Sequence, residues 1–249
     1  MERFSLLIAC ITMLAGYNAH TSAQDLARRY EINIGDFNKL QVSDDLNVTY
    51  RCNADSAGLA VFTATADEMQ SIIFNNKNSS LKIQMSTDRA IADSTLPLIT
   101  VYSAAIKELE NNSDSTLTIE NISSASKIKM RLTDNGQIIA RNITAPEIEA
   151  KLFTGKGLIE ISGKCDKARL RCTGTGKIDA FALDATDVDC RIVGTGSINC
   201  RIDGGTLLTR GSGPGRVYFK GMPAEIKSRH IGRLKTIPVK DDEESNIKP

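Results

Sequence analysis

Three acids within six residues, Asp184, Asp187 and Asp189, and the pair Glu160 and Asp179 at a spacing of 19 are the groups in this chain best placed to move protons. Paired carboxylates cleave glycans when they face each other about 5 to 9.5 Å apart in a cleft. Calcium is the other partner such acids would take, but no repeating Asp-Gly ligand loop is present. Of the two histidines, His20 falls in the leader described below and His230 stands near the C-terminal tail, which argues against a Ser-His-Asp or Cys-His mechanism. No two cysteines are spaced C-x-x-C, which argues against structural zinc, and nothing in these patterns calls for a cofactor. Basic residues offer a different chemistry. Arg131, Lys151, Arg171 and Arg191 recur at intervals of 20, and Lys129, Glu149, Arg169 and Asp189 recur beside them at the same interval.

That interval belongs to a repeat. Alternating strands read Ile128-x-Met130-x-Leu132, Ile148-x-Ala150-x-Leu152, Ala168-x-Leu170-x-Cys172 and Val188-x-Cys190-x-Ile192. Each is followed by a glycine corner: Asn135-Gly136, Gly155-Lys156-Gly157, Gly174-Thr175-Gly176 and Gly194-Thr195-Gly196. A fifth corner, Gly211-Ser212-Gly213-Pro214-Gly215, reads as carrying a small insertion. Second strands follow the corners, from Ile138-x-Ala140 to Val217-x-Phe219. Period-two alternation gives each strand one buried and one wet face, and recurrence at one-coil spacing pairs each strand with its counterpart about 4.8 Å away. The expected fold is all-β: a single-stranded, right-handed parallel β-helix with coils of about 20 residues, its hand following from the right-handed rule for parallel crossovers.

The remainder of the chain is organised around that stack. Residues 1–23 read as a secretory signal peptide: Glu2 and Arg3, an apolar run from Phe4 to Gly16, and small residues at Thr21 and Ala23. Leu7-Ile8-Ala9-Cys10 resembles a lipoprotein box, but cleavage there would leave almost no apolar core, so cleavage near Gln24 is the expectation. The run is too short to span a bilayer, which takes about 20 residues, and no longer one follows. Residues 24–237 form the expected β-helix domain, with 31–97 as less regular coils and a cap and 98–237 as regular coils. Asp67 to Phe74 is read as one short helical turn, and 238–249, with Asp241-Asp242-Glu243-Glu244, as a polar acidic tail. Lys plus Arg number 31 against 30 Asp plus Glu, a net charge of +1 that gives no reason to expect a nucleic-acid partner.

The Gly35-Asp36-Phe37-Asn38-Lys39-Leu40-x-Val42 start, the Gly-Thr-Gly corners and the Val217-Tyr218-x-x-Gly221-x-Pro223 end together resemble the family described as putative auto-transporter adhesin, head GIN domain. The resemblance implies an exported parallel β-helix of a Gram-negative bacterium, in the periplasm or at the cell surface, and it carries over no ligand or catalytic residue. A true autotransporter carries its own membrane barrel, and the sequence up to Pro249 shows no run of barrel-like strands.

On this fold the recurring charges become columns. Lys129, Glu149, Arg169 and Asp189 should pair laterally, while Arg131, Lys151, Arg171 and Arg191 place like charges side by side, which is mildly destabilising. One reading is a solvated face whose cations splay toward Glu149, Asp189 and water; the other is a stripe about 14 Å long that meets an anionic envelope or host polymer. A coil wall with short corners offers the acids no deep cleft. The expected function is therefore a non-enzymatic, adhesin-like binding or structural module, and the alternative a polysaccharide lyase or glycosidase using outer-face carboxylates. Cys165, Cys172, Cys190 and Cys200 replace apolar residues of neighbouring coils and are expected to be free, buried thiols, Cys190 and Cys200 lying too far apart to bond. Asp55-Ser56-Ala57, Asp93-Ser94-Thr95 and Asp114-Ser115-Thr116 resemble a bacterial O-glycosylation signal.

Overall fold

The computed structural model describes residues 26–86 and 96–240. The expected signal peptide, Cys10, the Asp93-Ser94-Thr95 motif and the acids Asp241 to Glu244 lie outside the described residues. Strands β1 (Arg28–Asn33), β2 (Lys39–Ser43), β3 (Val48–Cys52) and β4 (Leu59–Ala64) precede a short helix, α1 (Ala66–Ser71). Next come β5 (Ile72–Lys77), β6 (Ser80–Met85), β7 (Ile99–Ser103), β8 (Glu108–Asn112), β9 (Thr116–Ser123) and β10 (Ile128–Thr133). Three long strands follow: β11 (Gln137–Phe153), β12 (Leu158–Gly174) and β13 (Lys177–Gly194). The last are β14 (Ser197–Asp203), β15 (Thr206–Ser212), β16 (Arg216–Met222), β17 (Glu225–Ile231) and β18 (Lys235–Pro238).

Parallel pairing stacks these strands into the two walls of a β-solenoid. The first wall runs β6, β2, β8, β10, then the C-terminal halves of β11, β12 and β13, then β15 and β17. The second runs β7, β3, β9, the N-terminal halves of the same long strands, then β14, β16 and β18. Each long strand thus serves one coil on the second wall and continues into the next coil on the first. Register shifts between Ala140 and Ile143, and between Glu160 and Ser162, mark the bends.

Chain order and stacking order differ at the N-terminal end. β2 lies between β6 and β8, and β3 between β7 and β9, so the first coil to leave the N-terminus is not the outermost. The chain returns outward through β4, which pairs antiparallel with β1 and β7, and through the antiparallel β5–β6 hairpin. Helix α1 covers only the first part of the expected helical turn, because Ile72 and Phe74 belong to β5. Thr65 starts it with a capping box: its side chain accepts from the Glu68 N–H, and the Glu68 carboxylate accepts from the Thr65 N–H.

Between the walls, inward residues form continuous columns. Ile128, Ile148, Ala168, Val188 and Leu207 stack in register, as do Leu132, Leu152, Cys172 and Ile192, all buried. Across from them run Leu117, Ile138, Ile159, Ile178, Ile198 and Val217. The glycine corners stack as well. The N–H groups of Lys177, Ser197, Arg216 and Lys235 donate to the carbonyls of Gly157, Gly176, Gly196 and Gly215 at 3.0 to 3.2 Å, so every corner supplies acceptors to the next coil.

Four sequence expectations change here. Gly211 is no part of a corner: it pairs with Ile192 inside β15, and the corner is Gly213-Pro214-Gly215, 19 residues after Gly194-Thr195-Gly196. That coil is one residue shorter, because the turn between Cys200 and Thr206 is shorter than the one a coil earlier, so no insertion is needed. The Cys190 and Cys200 sulfurs lie 3.9 Å apart, in contact across the narrow interior rather than separated by it. Ser115 is buried and hydrogen-bonded to Ser113, which removes it as an accessible glycosylation acceptor. Pro238, expected in the tail, ends β18, and the Val239 N–H donates to the Phe219 carbonyl at 2.9 Å.

Candidate functional site

Outward positions of the first wall are set by the same register as the core, because alternate residues of each strand point to opposite faces. Arg131 lies beside Lys151, Lys151 beside Arg171 and Arg171 beside Arg191. The column then continues through Arg210 and Arg229, which stand 19 rather than 20 residues further on. Six cations on adjacent strands span five spacings of about 4.8 Å, or about 24 Å. Fixed-period counting stops at Arg191 because the coil shortens after Cys200. The 19-residue step between the Gly-x-Gly corners was the signal that would have extended it.

The six are not equivalent. Arg131 reaches Glu108 and Glu110, both at 3.3 Å, so its charge is met on the N-terminal side. Lys151 pairs with Glu149. Arg210 pairs with Asp189 at 2.6 Å. Among the described residues Arg171, Arg191 and Arg229 make no ion pair, and Arg191 and Arg229 are exposed. The structure therefore divides the sequence-derived stripe: Arg131 and Lys151 are neutralised locally, while Arg171 and Arg191 keep free charge.

Beside this column the charges of alternating sign do not pair with their direct neighbours. Glu149 binds Lys127 and Lys151 instead of Lys129 or Arg169, and Arg169 binds Glu147. Glu149 is buried, and burial alone would raise its pKa. Hydrogen bonds and charge from Lys127 and Lys151 outweigh that and hold it down at about 2.

On the other side of the cations stands a column absent from the sequence reading: Thr133, Phe153, Thr173, Val193, Ser212 and Ile231. Phe153, Val193 and Ile231 are 42%, 38% and 81% exposed. Two shallow grooves follow the line between the columns. One, of about 250 Å³, is bounded by Lys151, Phe153, Arg171, Thr173, Arg191 and Val193. The other, of about 660 Å³, begins at Arg191 and Val193 and continues to Arg229 and Ile231. Sharing Arg191 and Val193, they form one seam along the solenoid axis.

The acids proposed for glycan cleavage are not gathered in that seam. Asp179 pairs with Lys177 at 2.7 Å and accepts from Asn199 at 3.0 Å, on the second wall. Asp184 is exposed and pairs with Arg201, Asp187 accepts the Thr206 N–H, and Asp189 holds Arg210. Asp179, Asp184, Asp187 and Asp189 thus each have a structural partner, and Glu160 is exposed beside Asp179 on the second wall. Among the described residues no group of three or more His, Cys, Asp or Glu side chains is arranged to hold a metal ion, and no helix is long and apolar enough to cross a membrane. Burial pushes the thiol of Cys165 up to about 12 and that of Cys172 up to about 11, far from the range of reactive thiolates.

A family described as "Putative auto-transporter adhesin, head GIN domain" matches residues 36–223. A crystal structure of a "putative adhesin" from Bacteroides fragilis superposes with a TM-score of 0.73 at 18% identity, covering 86% of this chain and 97% of that one. A "putative lipid binding protein" from Parabacteroides distasonis gives 0.69 at 21% identity, covering 87% and 98%. A "putative adhesin" from Parabacteroides merdae gives 0.61 at 19%, with the same coverage. At these identities the likeness is one of fold. No curated protein matches the sequence.

Proposed function

Because the chain belongs to the family described as "Putative auto-transporter adhesin, head GIN domain", we propose that it is an exported, non-enzymatic binding module of the bacterial cell envelope, and that its first wall meets an anionic polymer. One observation carries this reading: the register-aligned cation column in which Arg171, Arg191 and Arg229 have no carboxylate partner among the described residues. Like charges on adjacent strands cost stability, so a column left unneutralised points to a partner that supplies the counter-charge. No acid lines either groove of the seam, which supports binding over catalysis there.

A binding array of envelope and host polymers, read at low and physiological salt, tests this. The protein should retain anionic polymers at low salt and release them progressively as salt rises. Arg171→Ser with Arg191→Ser should reduce that binding at least tenfold without lowering the melting temperature, since both side chains point outward and their mutual repulsion is removed. Binding that survives the double substitution with the same salt dependence would remove the column as the site.

A further inference from the structure

Cations alone would accept any polyanion, but the seam is not cationic alone. We infer that its ligand is an extended anionic glycan, whose acidic groups lie along Arg171, Arg191 and Arg229 while the apolar faces of its sugar rings rest on Phe153, Val193 and Ile231. This rests on the binding reading above and narrows it to a class of polymer.

Apolar side chains occupy every second coil of their column and hydroxyls, Thr173 and Ser212, the coils between. The apolar contacts therefore repeat every two strand spacings, about 10 Å along the axis. An extended polysaccharide advances about one coil spacing per ring, so alternate rings meet an apolar side chain and intervening rings meet a hydroxyl. A linear groove of constant register suits a linear, periodic partner. Phe153 and Val193 line the grooves and are each more than half covered, so of the three apolar side chains only Ile231, at the end of the column, is open to a flat bilayer. Polyphosphate would satisfy the arginines and leave the apolar column unused.

The test compares three probes on the intact protein: polygalacturonate, which has anions and ring faces; polyphosphate, which has anions alone; and vesicles of phosphatidylglycerol with phosphatidylcholine. Phe153→Ser with Val193→Ser should weaken polygalacturonate about tenfold, the loss of modest apolar area at two contacts, and leave polyphosphate unchanged. Arg171→Ser with Arg191→Ser should weaken both. Equal effects of the apolar pair on both polymers, or none on polygalacturonate, overturn the glycan inference and leave the cation column standing. Vesicle binding without polygalacturonate binding overturns it in favour of a lipid surface. Failure of every probe, or indifference to the arginine pair, overturns the column reading as well. Val193→Thr, which keeps a β-branched residue in the strand, replaces the double variant if the latter melts early.

Discussion

Glu149 shows how a single side chain is tied to the stack. It is buried on the outer face between Lys127 and Lys151, and its carboxyl is held at about 2 against an ordinary value of 4.5. A depressed folded pKa means the unfolded chain binds the proton more readily. Glu149 therefore contributes stability that is fully present above about pH 4.5 and is lost as pH falls toward 2. Denaturant melts of the parent and of Glu149→Gln should differ by about 2–3 kcal/mol at pH 6 and converge near pH 2. Parallel pH profiles would mean that the two lysines do not hold the carboxylate. The cysteines make the opposite point. Cys190 and Cys200 touch at 3.9 Å, yet both are buried in apolar columns and behave there as small hydrophobes.

At the scale of the coil, some corner and bend positions leave no room for a side chain. Gly163 sits at φ +135°, where a Cβ would stand 2.0 Å from the Ile143 carbonyl oxygen of the coil below. That oxygen is backbone within a paired strand and cannot swing away. Gly163→Ala should cost at least about 2 kcal/mol, combining backbone strain with overpacking. Gly204, at φ +86° with open space around it, provides the control: its alanine variant should lose only about 1 kcal/mol, the strain alone. Thermal melts of the two variants side by side check this, and equal losses would show that inter-coil contact is not what selects glycine at Gly163.

For the molecule as a whole, the two ends of the solenoid differ. At the N-terminal end β1, β4, α1 and β5 surround the outer coil, whereas the first wall ends in β17, all seven of whose residues are exposed. The interior changes with it. Thr209 takes the column position after Cys190 and shares hydrogen bonds with Ser228 at 2.9 Å and Thr236 at 3.0 Å, so hydroxyls replace apolar packing as the stack runs out. In a solenoid each coil is stabilised by its neighbours only, and an outermost coil has one neighbour. Amide hydrogen exchange should therefore be about 100-fold faster in β17 and β18 than in the centres of β12 and β13. Uniform protection along the axis would indicate a single cooperative unit.

The residues themselves determined the parallel coils, the inward columns and four of the six cations, because side-chain alternation and a constant step of 20 are local properties that survive without coordinates. Three features needed the tertiary structure. The shortened coil shifted the register by one residue, so Arg210 and Arg229 joined the column only once strand pairing was known. The insertion of β2 and β3 between later strands follows from long-range pairing that no neighbouring residues encode. Charge pairing was likewise decided in space: Arg131 and Arg210 found carboxylates on neighbouring strands, Lys151 found Glu149 two residues away on its own strand, and among the described residues Arg171, Arg191 and Arg229 found none. A sequence states which charges exist and at what interval. Only the folded wall, where side chains several ångströms long choose among partners on adjacent coils, decides which remain free to bind something else.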